Sequence, residues 1–304
     1  MKKALITGAN GFVGYYLRDE LEKNEYIVSG MDIVGDDDVH CADLTDYSAV
    51  KQVIDAVKPD CIFHLAGQAS VGFSWENPQL TFDVNVKGTL NLLEAVRCMD
   101  KTISILVIGS SDEYGKVREK DCPIKETLET DPCNPYAISK QTQEELCRLF
   151  VKAYGMRIIM TRSFNHTGPR QKKGFVVPDF CSRLVEMERA GQYRLEVGNL
   201  EAKRDFSDVR DIVYAYRLLL EKGKSGEVYN VGSGCAYYIR ELLDKLICIS
   251  GYSVEVCIDR KKMRPIDLPL IQSDINKLSI CTGYYPRYSI EQTLKDTFAY
   301  WRSI

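Results

Sequence analysis

The stretch ALITGANGFVG, residues 4–14, decides how this chain begins to fold. Residues 4–7 form an apolar run that ends at a glycine, and apolar residues recur at helical spacing from Phe12 to Lys23. Three glycines, Gly8, Gly11 and Gly14, therefore fall between a first strand and a first helix. Glycine lets the chain turn tightly there and lets the backbone approach a pyrophosphate, which the amides at a helix N-terminus attract.

A glycine triplet by itself is a weak signal, because tight turns without a ligand also contain glycine. Its position directly after the first strand of an alternating chain favours dinucleotide binding. The predicted phosphate-binding residues are Gly8, Asn10, Gly11, Phe12, Val13 and Gly14.

Strand-like and helical segments alternate along the first two-thirds of the chain. Apolar runs typical of short strands occupy residues 26–29, 61–66, 104–108 and 157–161. Residues 78–99 and 135–154 have the pattern of long helices, each with a proline near its start. This alternation predicts an α/β fold, a Rossmann-type doubly wound parallel sheet with right-handed crossovers.

The pattern changes after Asn165. Residues 168–205 mix helix with loops, residues 227–231 form a strand able to rejoin the main sheet, and an amphipathic helix covers residues 239–249. We therefore predict a dinucleotide-binding lobe from residues 1–165, with residues 206–235 returning to it. Residues 166–205 and 236–304 are expected to form a smaller C-terminal substrate-binding lobe, with a cleft between the two.

Composition narrows the class of protein. The 304 residues carry a net charge of −3 and a pI near 5.8, so there is no general basic field and nucleic acid is not expected as a partner. Glycines break the N-terminal apolar run and no run reaches membrane-spanning length, so neither a signal peptide nor a membrane span is expected. Eleven cysteines without a CxxC pair suit reduced thiols in the cytoplasm, and the histidines lie at no metal-ligand spacing with them, so we predict no metal site.

Asp32, after the second predicted strand, bears on the choice of cofactor. A carboxylate at that place accepts hydrogen bonds from an adenosine ribose and repels a 2′-phosphate, although a solvated loop acid is the alternative. We expect NAD(H) to be preferred, with NADP(H) as the second choice. Asp43 and Leu44 can lie beside the adenine, and Asp43 can equally cap a turn.

Tyr136 and Lys140 form a YxxxK pair that we predict to transfer protons. Residues i and i+4 share a helix face, so the phenol and the ammonium can point into one pocket. An unperturbed tyrosine has a pKa of about 10, and we expect the ammonium to lower it. The turn GSSDEYG, residues 109–115, ends a strand where doubly wound sheets bind ligands, so Ser110 can donate to the same substrate oxygen. A chance surface Tyr–Lys pair is the alternative.

Five motifs resemble those of the extended short-chain dehydrogenase/reductase family, and the match covers essentially the whole chain. They are TGANGFVG (7–14), HLAGQAS (64–70), NVKGT (85–89), GSSDEYG (109–115) and YAISK (136–140). The resemblance implies a nicotinamide-dependent enzyme in which Ser110, Tyr136 and Lys140 are catalytic and Asn85 supports the site structurally. The implied cofactor contacts are the glycine turn, Asp32, Asp43, Leu44, Leu65, Ala66, Tyr136 and Lys140.

Four C-terminal motifs resemble, more narrowly, the branch of this family that handles GDP-mannose derivatives. They are RSFNHTGPRQ (162–171), VGNLEAKRDFSDVRDIV (197–213), EVYNVGSG (227–234) and RPIDLPLIQSDINKL (264–278). The implied substrate is a GDP-linked sugar, whose diphosphate suits arginine side chains. The candidate substrate-binding residues are Ser111, Asn165, Asn199, Arg204 and Arg264; surface ion pairs for the arginines and a turn cap for Asn165 are the alternatives.

Within that branch more than one reaction is implied, and Asp112 bears on the choice. Dehydratases of the branch resemble each other in a threonine and a glutamate where this chain has Ser110 and Asp112, and the shorter aspartate puts elimination in doubt. The chain also lacks the extra length that those dehydratases usually carry. We therefore favour reduction of the 4-keto group of a GDP-4-keto-6-deoxy-hexose by hydride from NAD(P)H, with Tyr136 as the general acid.

Two other reactions stay open. One is 4,6-dehydration with tightly bound NAD, in which Asp112 joins the catalytic set. The other is C4 epimerisation of a nucleotide sugar. A non-catalytic dinucleotide sensor is a further alternative, against which the intact Ser110–Tyr136–Lys140 set argues.

The two long helices bear on assembly. Leu92, Val96, Leu146 and Phe150 extend their apolar positions beyond one face. In the family that the chain resembles, the equivalent helices pair across a two-fold axis, which implies a homodimer. Packing of these side chains on the sheet is the alternative.

Overall fold

The computed structural model describes residues 1–36, 38–259 and 268–304. Its strands are β1 (Lys3–Thr7), β2 (Ile27–Asp32), β3 (Val39–Cys41), β4 (Cys61–His64), β5 (Ser104–Ser110), β6 (Ile158–Ser163), β7 (Asn165–Thr167), β8 (Arg194–Val197), β9 (Lys203–Asp208), β10 (Val228–Val231), β11 (Ala236–Tyr238), β12 (Glu255–Ile258) and β13 (Leu270–Ile271). Its α-helices are α1 (Phe12–Glu22), α2 (Tyr47–Val57), α3 (Val71–Glu76), α4 (Pro78–Phe82), α5 (Gly88–Met99), α6 (Pro135–Tyr154), α7 (Val176–Ala190), α8 (Val209–Lys222), α9 (Ile239–Ser250), α10 (Asn276–Thr282) and α11 (Ile290–Ser303).

Parallel strands form the main sheet in the order β3-β2-β1-β4-β5-β6-β10. The register sets Thr7 of β1 beside Met31 of β2 and His64 of β4, so the carboxyl ends of these strands meet at one edge. Residues of β4 and β6 are buried throughout, which is why their sequences lack the alternation of a half-exposed strand; the charged residue of β6, Arg162, is paired with buried carboxylates. The predicted doubly wound parallel sheet is confirmed, and β10 rejoins it beside β6 as expected.

Local signals set the bounds of α6, the helix that carries Tyr136 and Lys140. The Asn134 side chain accepts a hydrogen bond from the Ala137 amide, and Pro135 occupies the first helical position, where its missing N–H costs nothing. Gly155, with a φ of +69°, ends the helix in the left-handed conformation that glycine adopts without strain. The predicted helix over residues 135–154 is therefore confirmed.

The predicted helix over residues 78–99 contains a change of winding. Between α4 and α5 the chain forms a π-helical turn, Asp83–Lys87, whose buried residue is Asn85. A π turn inserts one extra residue into the helix, and such turns often lie at functional sites. Here the π turn places the side chain of Asn85 in the protein interior.

The remaining strands belong to smaller sheets. β9 pairs with β11 and β13, and also with β7, while β8 pairs with β12. A separate hydrophobic core lies among these elements and includes residues of α7, α9 and α11. The C-terminal segment also returns to the main sheet, since Leu278 and Tyr284 lie in the core formed by α1 and α8.

The prediction that Leu92, Val96, Leu146 and Phe150 extend the apolar surface of the long helices beyond the face packed on the sheet is wrong. Leu92 and Val96 are fully buried, Phe150 is 4% exposed and Leu146 packs against the same core. These side chains lie in one hydrophobic core with residues of the central strands, where α5 packs against α2 and α6, and α6 packs on β5 and β6. The exposed apolar residues of the two helices include Leu90, Ile138 and Leu149.

Two further findings concern the cysteines and the length of the helices. All eleven cysteines are free thiols. Among the described helices, none combines the length and the apolar character that a bilayer crossing needs.

Candidate active site

The turn between β1 and α1 has no room for side chains at two of its glycines. Gly8 has a φ of +72°, and a Cβ on it would lie 2.9 Å from the Cα and amide nitrogen of Ala66. A Cβ on Gly14 would lie 2.5 Å from the carbonyl oxygens of Gly8 and Ala9. The sequence pattern is therefore a requirement of the backbone path, which runs against the end of β4.

The start of α1 suits an anionic ligand. Gly11 is its extended N-cap residue and provides no side-chain cap, so the amides of the first turn, at Phe12 and Val13, lack intrahelical acceptors. The Phe12 ring lies aside, stacked on His166 with 6.2 Å between ring centroids. These residues fit a dinucleotide pyrophosphate, which needs backbone amides and close approach.

Asp32 is tied to this turn. Its Oδ2 accepts a hydrogen bond from the Asn10 amide at 3.0 Å, and its Oδ1 accepts one from the Ile33 amide at 2.8 Å. The Asn10 side chain in turn donates to the Val34 carbonyl at 2.8 Å. The carboxylate is thus held beside the phosphate-binding turn, where a ribose hydroxyl can reach it.

The other predicted cofactor residues separate into two groups. Leu65 and Ala66 follow β4 and border the turn, and the Ala66 amide donates to the Thr7 hydroxyl at 3.2 Å. Asp43 caps a turn, accepting the Thr45 amide at 2.8 Å, and Leu44 is 5% exposed in the core. The capping alternative for Asp43 is therefore what the structure contains.

The predicted catalytic groups converge at the end of β5. Tyr136, Lys140 and Ser110 are 9%, 5% and 8% exposed, and the Ser110 hydroxyl lies close enough to Tyr136 to act on the pKa of the phenol. The Ser110 Oγ also accepts the Asp112 amide at 3.2 Å, and the Tyr136 amide donates to Ser74 Oγ at 3.2 Å. A chance surface pair is excluded, because the Tyr–Lys pair is buried at the sheet edge.

Lys140 is held by neutral acceptors. Its Nζ donates to the Ile108 carbonyl at 2.8 Å and to Gln143 Oε1 at 3.0 Å. Burial lowers the pKa of Lys140 to about 8, and the charge of Glu113 partly opposes that shift. The loop after β4 passes close by, since a Cβ on Gly67 would lie 3.3 Å from the ammonium nitrogen.

The expected lowering of the Tyr136 pKa is wrong for this structure. Burial raises the pKa of Tyr136, the charge of Asp112 raises it further, and the nearby Ser110 hydroxyl lowers it. Lys140 is not among the main causes because its ammonium is turned to Ile108 and Gln143. The phenol therefore keeps its proton at neutral pH, which suits a proton donor better than a base.

A buried polar network supports the loop and Lys140 from behind. Asn85 Nδ2 donates to Ser139 Oγ at 2.9 Å, and its Oδ1 accepts the Gln68 amide at 2.8 Å. Gln143 Nε2 donates to Thr89 Oγ1 at 2.8 Å, and the same oxygen lies 2.9 Å from His64 Nε2. The supporting role expected for Asn85 agrees with these contacts.

Gln143, Thr89 and His64 were missed from the sequence. Gln143 lies at i+3 from Lys140 on one helix face, and His64 and Thr89 lie within the motifs HLAGQAS and NVKGT, although neither motif indicates that the two side chains meet. The other two lie on separate elements, β4 and α5, and only the fold brings them together.

The predicted substrate residues are spread more widely. Ser111 is 9% exposed in a 3-10 turn beside Ser110, and Asn165 is exposed at the start of β7. Asn199 Oδ1 accepts the Glu201 amide at 2.9 Å, and Arg204 Nη1 donates to the Leu268 carbonyl at 2.6 Å. Arg264 lies outside the described residues. Asp112 is half-buried and close enough to Tyr136 for its charge to act on the phenol.

Comparisons with known proteins show which family the chain resembles. A family model described as GDP-mannose 4,6 dehydratase matches residues 5–297. GDP-6-deoxy-D-mannose reductase from Pseudomonas aeruginosa is 35% identical over 303 residues, which cover 99% of this chain and 98% of that protein. GDP-mannose 4,6 dehydratase 2 from Arabidopsis thaliana is 32% identical, over 97% of this chain and 85% of that protein.

Solved structures resemble the chain over its full length. RMD from Pseudomonas aeruginosa complexed with NADPH has a TM-score of 0.91 at 35% identity and covers 100% of this chain and 99% of its own. UDP-glucose 4-epimerase from Thermotoga maritima with UDP-glucose has a TM-score of 0.91 at 29% identity, over 99% of both chains. The chain therefore belongs to the GDP-mannose 4,6 dehydratase family, among the extended short-chain dehydrogenases/reductases.

Proposed function

We propose that this protein reduces the 4-keto group of a GDP-4-keto-6-deoxy-hexose with hydride from a nicotinamide cofactor. The observation that carries the proposal is the burial of the Tyr136 phenol together with Ser110 and Lys140 at the end of β5, where burial raises the pKa of the phenol. Reduction of a ketone develops negative charge on oxygen, so a protonated acid at that oxygen is what the reaction needs. The full-length similarity to GDP-6-deoxy-D-mannose reductase supports the same reaction.

A bound dihydronicotinamide supplies the hydride, and the residues of this chain manage the oxygen. Tyr136 donates its proton to the developing alkoxide as the carbon accepts the hydride. The Ser110 hydroxyl, which lies close to the phenol, stabilises the same oxygen. Lys140 would contribute positive charge near the pair and would hold the nicotinamide ribose of a bound cofactor.

The elimination alternative depends on Asp112. Its charge acts on the Tyr136 phenol, so it lies near enough to join acid–base chemistry. The dehydratases among the relatives, such as the Arabidopsis thaliana protein at 32% identity, make this the second candidate. C4 epimerisation is the third, on the similarity to the Thermotoga maritima structure.

One pair of incubations separates these reactions. The protein is mixed with GDP-mannose and no added cofactor, and separately with GDP-4-keto-6-deoxy-mannose and NADH or NADPH, and products are identified by NMR. Consumption of reduced cofactor with the keto sugar supports reduction. A 4-keto-6-deoxy product from GDP-mannose alone refutes it in favour of dehydration, and a C4-inverted sugar supports epimerisation.

We also propose that NAD(H) is the preferred cofactor, because Asp32 is held beside the phosphate-binding turn. A 2′-phosphate within about 4 Å of this carboxylate costs roughly 1–4 kcal/mol, depending on solvent exposure. NADH is therefore expected to bind about tenfold or more tightly than NADPH in a fluorescence titration, and Asp32→Asn should narrow the difference. Equal affinities for NADH and NADPH would overturn this preference. The comparison matters because the similar Pseudomonas aeruginosa structure is complexed with NADPH.

The predicted lobes and substrate residues remain part of the proposal. Residues 1–165 with 206–235 would bind the dinucleotide, and residues 166–205 with 236–304 would bind the GDP-sugar. Within the latter, Asn199, Arg204 and Arg264 are the proposed contacts, joined by Ser111 and Asn165 from the first lobe. Alanine substitutions at the two arginines should raise the KM for the GDP-sugar and leave that for the cofactor unchanged.

A homodimer in the cytoplasm completes the proposal. The exposed sides of α5 and α6 carry Leu90, Ile138 and Leu149, an apolar surface that a second copy would cover. Light scattering should give twice the chain mass for the wild type and a lower mass for Leu149→Glu. A wild-type monomer at micromolar concentration would refute it.

A further inference from the structure

Glu113 is a fully buried carboxylate directly behind the catalytic serine. Its side chain is 0% exposed, and its Oε1 accepts a hydrogen bond from the Ser110 amide at 2.8 Å. Ser110 is the last residue of β5, where the strand turns into the 3-10 turn that carries Asp112 and Glu113. The contact therefore holds the backbone at the point from which the Ser110 hydroxyl reaches Tyr136.

The local sequence makes room for this contact. A Cβ on Gly109 would lie 2.5 Å from Glu113 Oε1 and 2.3 Å from the Thr161 carbonyl oxygen. Glycine at 109 lets the carboxylate fold back against the strand end. The motif GSSDEYG thus contains both the catalytic hydroxyl and the group that holds its backbone.

Arg162 offsets the burial of this carboxylate. Its Nε lies 3.5 Å from Glu113 Oε2, and its guanidinium also donates to both oxygens of Glu144, at 2.8 and 3.0 Å. The guanidinium further packs over the Tyr114 ring, 4.7 Å from the centroid. Burial and the charge of Glu144 raise the pKa of Glu113, and the hydrogen bond from the Ser110 amide and the charge of Arg162 act in the opposite direction.

Such an arrangement is a poor way to gain stability alone. Apolar residues of similar volume are often as stabilising as a buried ion pair, because desolvation of the charges is costly. The carboxylate is instead directed at one backbone amide, that of Ser110. It therefore holds the backbone of one member of the predicted catalytic set.

We propose that Glu113 is a positioning residue, which fixes the backbone of Ser110 and thereby the direction of the hydroxyl that serves the Tyr136 proton transfer. This rests on the proposed role of Tyr136 as general acid. Glu113 touches neither substrate nor cofactor in this role, and Arg162 keeps its side chain in place.

Three variants test the proposal. Glu113→Leu removes the acceptor, and kcat should fall roughly 10–100-fold, the scale expected when a reacting group is displaced by about 1 Å. The KM for the cofactor should stay unchanged. Glu113→Gln keeps an oxygen that can accept the Ser110 amide and should retain kcat within about threefold of wild type. Glu144→Gln is the matched control, because it disturbs the same Arg162 pairing but makes no described hydrogen bond to Ser110, and its kcat should stay within about threefold.

A double-mutant cycle with Ser110→Ala distinguishes positioning from a general structural role. Once the hydroxyl is absent, Glu113→Leu should cause no further loss of kcat. If Glu113→Leu does not fold, Glu113→Asp keeps the charge beside Arg162 but withdraws the acceptor by one methylene, and it should show the same loss and the same dependence on Ser110.

Any of three results would overturn the proposal: near-wild-type kcat in Glu113→Leu or Glu113→Asp, a Glu113→Gln variant as impaired as Glu113→Leu, or additive losses with Ser110→Ala. If the wild type reduces no 4-keto sugar, the proposed function fails. The same ratios, measured in the dehydratase or epimerase assay, then still decide the role of Glu113.

Discussion

Replacing Tyr136 by phenylalanine removes one oxygen from the candidate site and leaves the ring in place. The side chain is 9% exposed, and its backbone is held by the Ser74 hydroxyl and by the Asn134 cap of α6. Loss of a general acid lowers kcat by about 10²–10⁴-fold, which corresponds to roughly 3–5 kcal/mol in the barrier. Cofactor affinity and KM should change little, because the proton is transferred only in the transition state.

The same substitution should hardly affect folding. After Tyr136→Phe, the Ser110 Oγ still accepts the Asp112 amide, so the lost contact leaves no buried donor or acceptor on Ser110 wholly without a partner. We expect the free energy of unfolding to fall by less than about 1 kcal/mol. Turnover and stability are therefore predicted to separate at this position.

Tyr114→Phe provides a matched control in the neighbouring turn. Tyr114 is 1% exposed, and its hydroxyl donates to Asn230 Oδ1 at 2.7 Å. Its removal leaves a buried acceptor without that partner and should cost about 1–3 kcal/mol of stability. Because this oxygen faces Asn230 instead of the site, kcat should stay within about threefold of wild type.

Both variants are measured in the same two assays. Single-turnover consumption of reduced nicotinamide gives the rate of the chemical step, and urea unfolding gives the stability. Near-wild-type turnover in Tyr136→Phe would refute the assignment of the general acid. Parallel losses of turnover and stability in both variants would show that the reasoning had mistaken a structural tyrosine for a catalytic one.

Three further predictions follow from burial and backbone geometry. Burial lowers the pKa of Lys140 to about 8, so kcat/KM should decrease as the pH rises through that value and the ammonium loses its proton. A pH–rate profile that stays flat well above pH 8 would contradict this prediction. Gly8→Ala places a methyl group at a residue with a φ of +72° and against Ala66. The strained backbone costs roughly 1–2 kcal/mol, so a fluorescence titration should show about tenfold weaker dinucleotide binding. An unchanged affinity would contradict this prediction. Burial lowers the pKa of His64 from 6.5 to about 3, so between these pH values the unfolded chain binds a proton that the folded chain does not, and stability falls as the pH drops through that range. The variant His64→Gln cannot titrate, so urea unfolding should show a smaller loss of its stability on acidification. Equal losses in the variant and the wild type would contradict this prediction.

Much of the fold was predictable because its signals are local. The glycine turn after β1, the cap and proline that start α6, and the glycine that ends it all lie within a few residues of the feature they specify. The YxxxK spacing likewise sets Tyr136 and Lys140 on one helix face whatever surrounds that helix. The order of strands and helices could therefore be inferred before any contact was known.

The details of the site depended on residues far apart in the chain. The expectation that Lys140 lowers the pKa of Tyr136 was wrong because burial dominates and because the ammonium donates to Ile108, which is 32 residues away. The supporting network joins Gln143 to Thr89, 54 residues apart, and β4 brings His64 to the same hydroxyl. Rules based on the spacing of residues along the chain cannot predict contacts between residues so far apart in sequence.

The sequence by itself determined the parallel sheet, the phosphate-binding turn and the candidate proton donor, since each depends on short-range backbone geometry and side-chain spacing. Only the tertiary structure decided the protonation of that donor, the burial of Leu92, Val96 and Phe150, and the hydrogen bond from Ser110 to Glu113. The physical reason is that pKa values and packing depend on desolvation and on neighbouring dipoles, and both are set by which distant segments come to lie together.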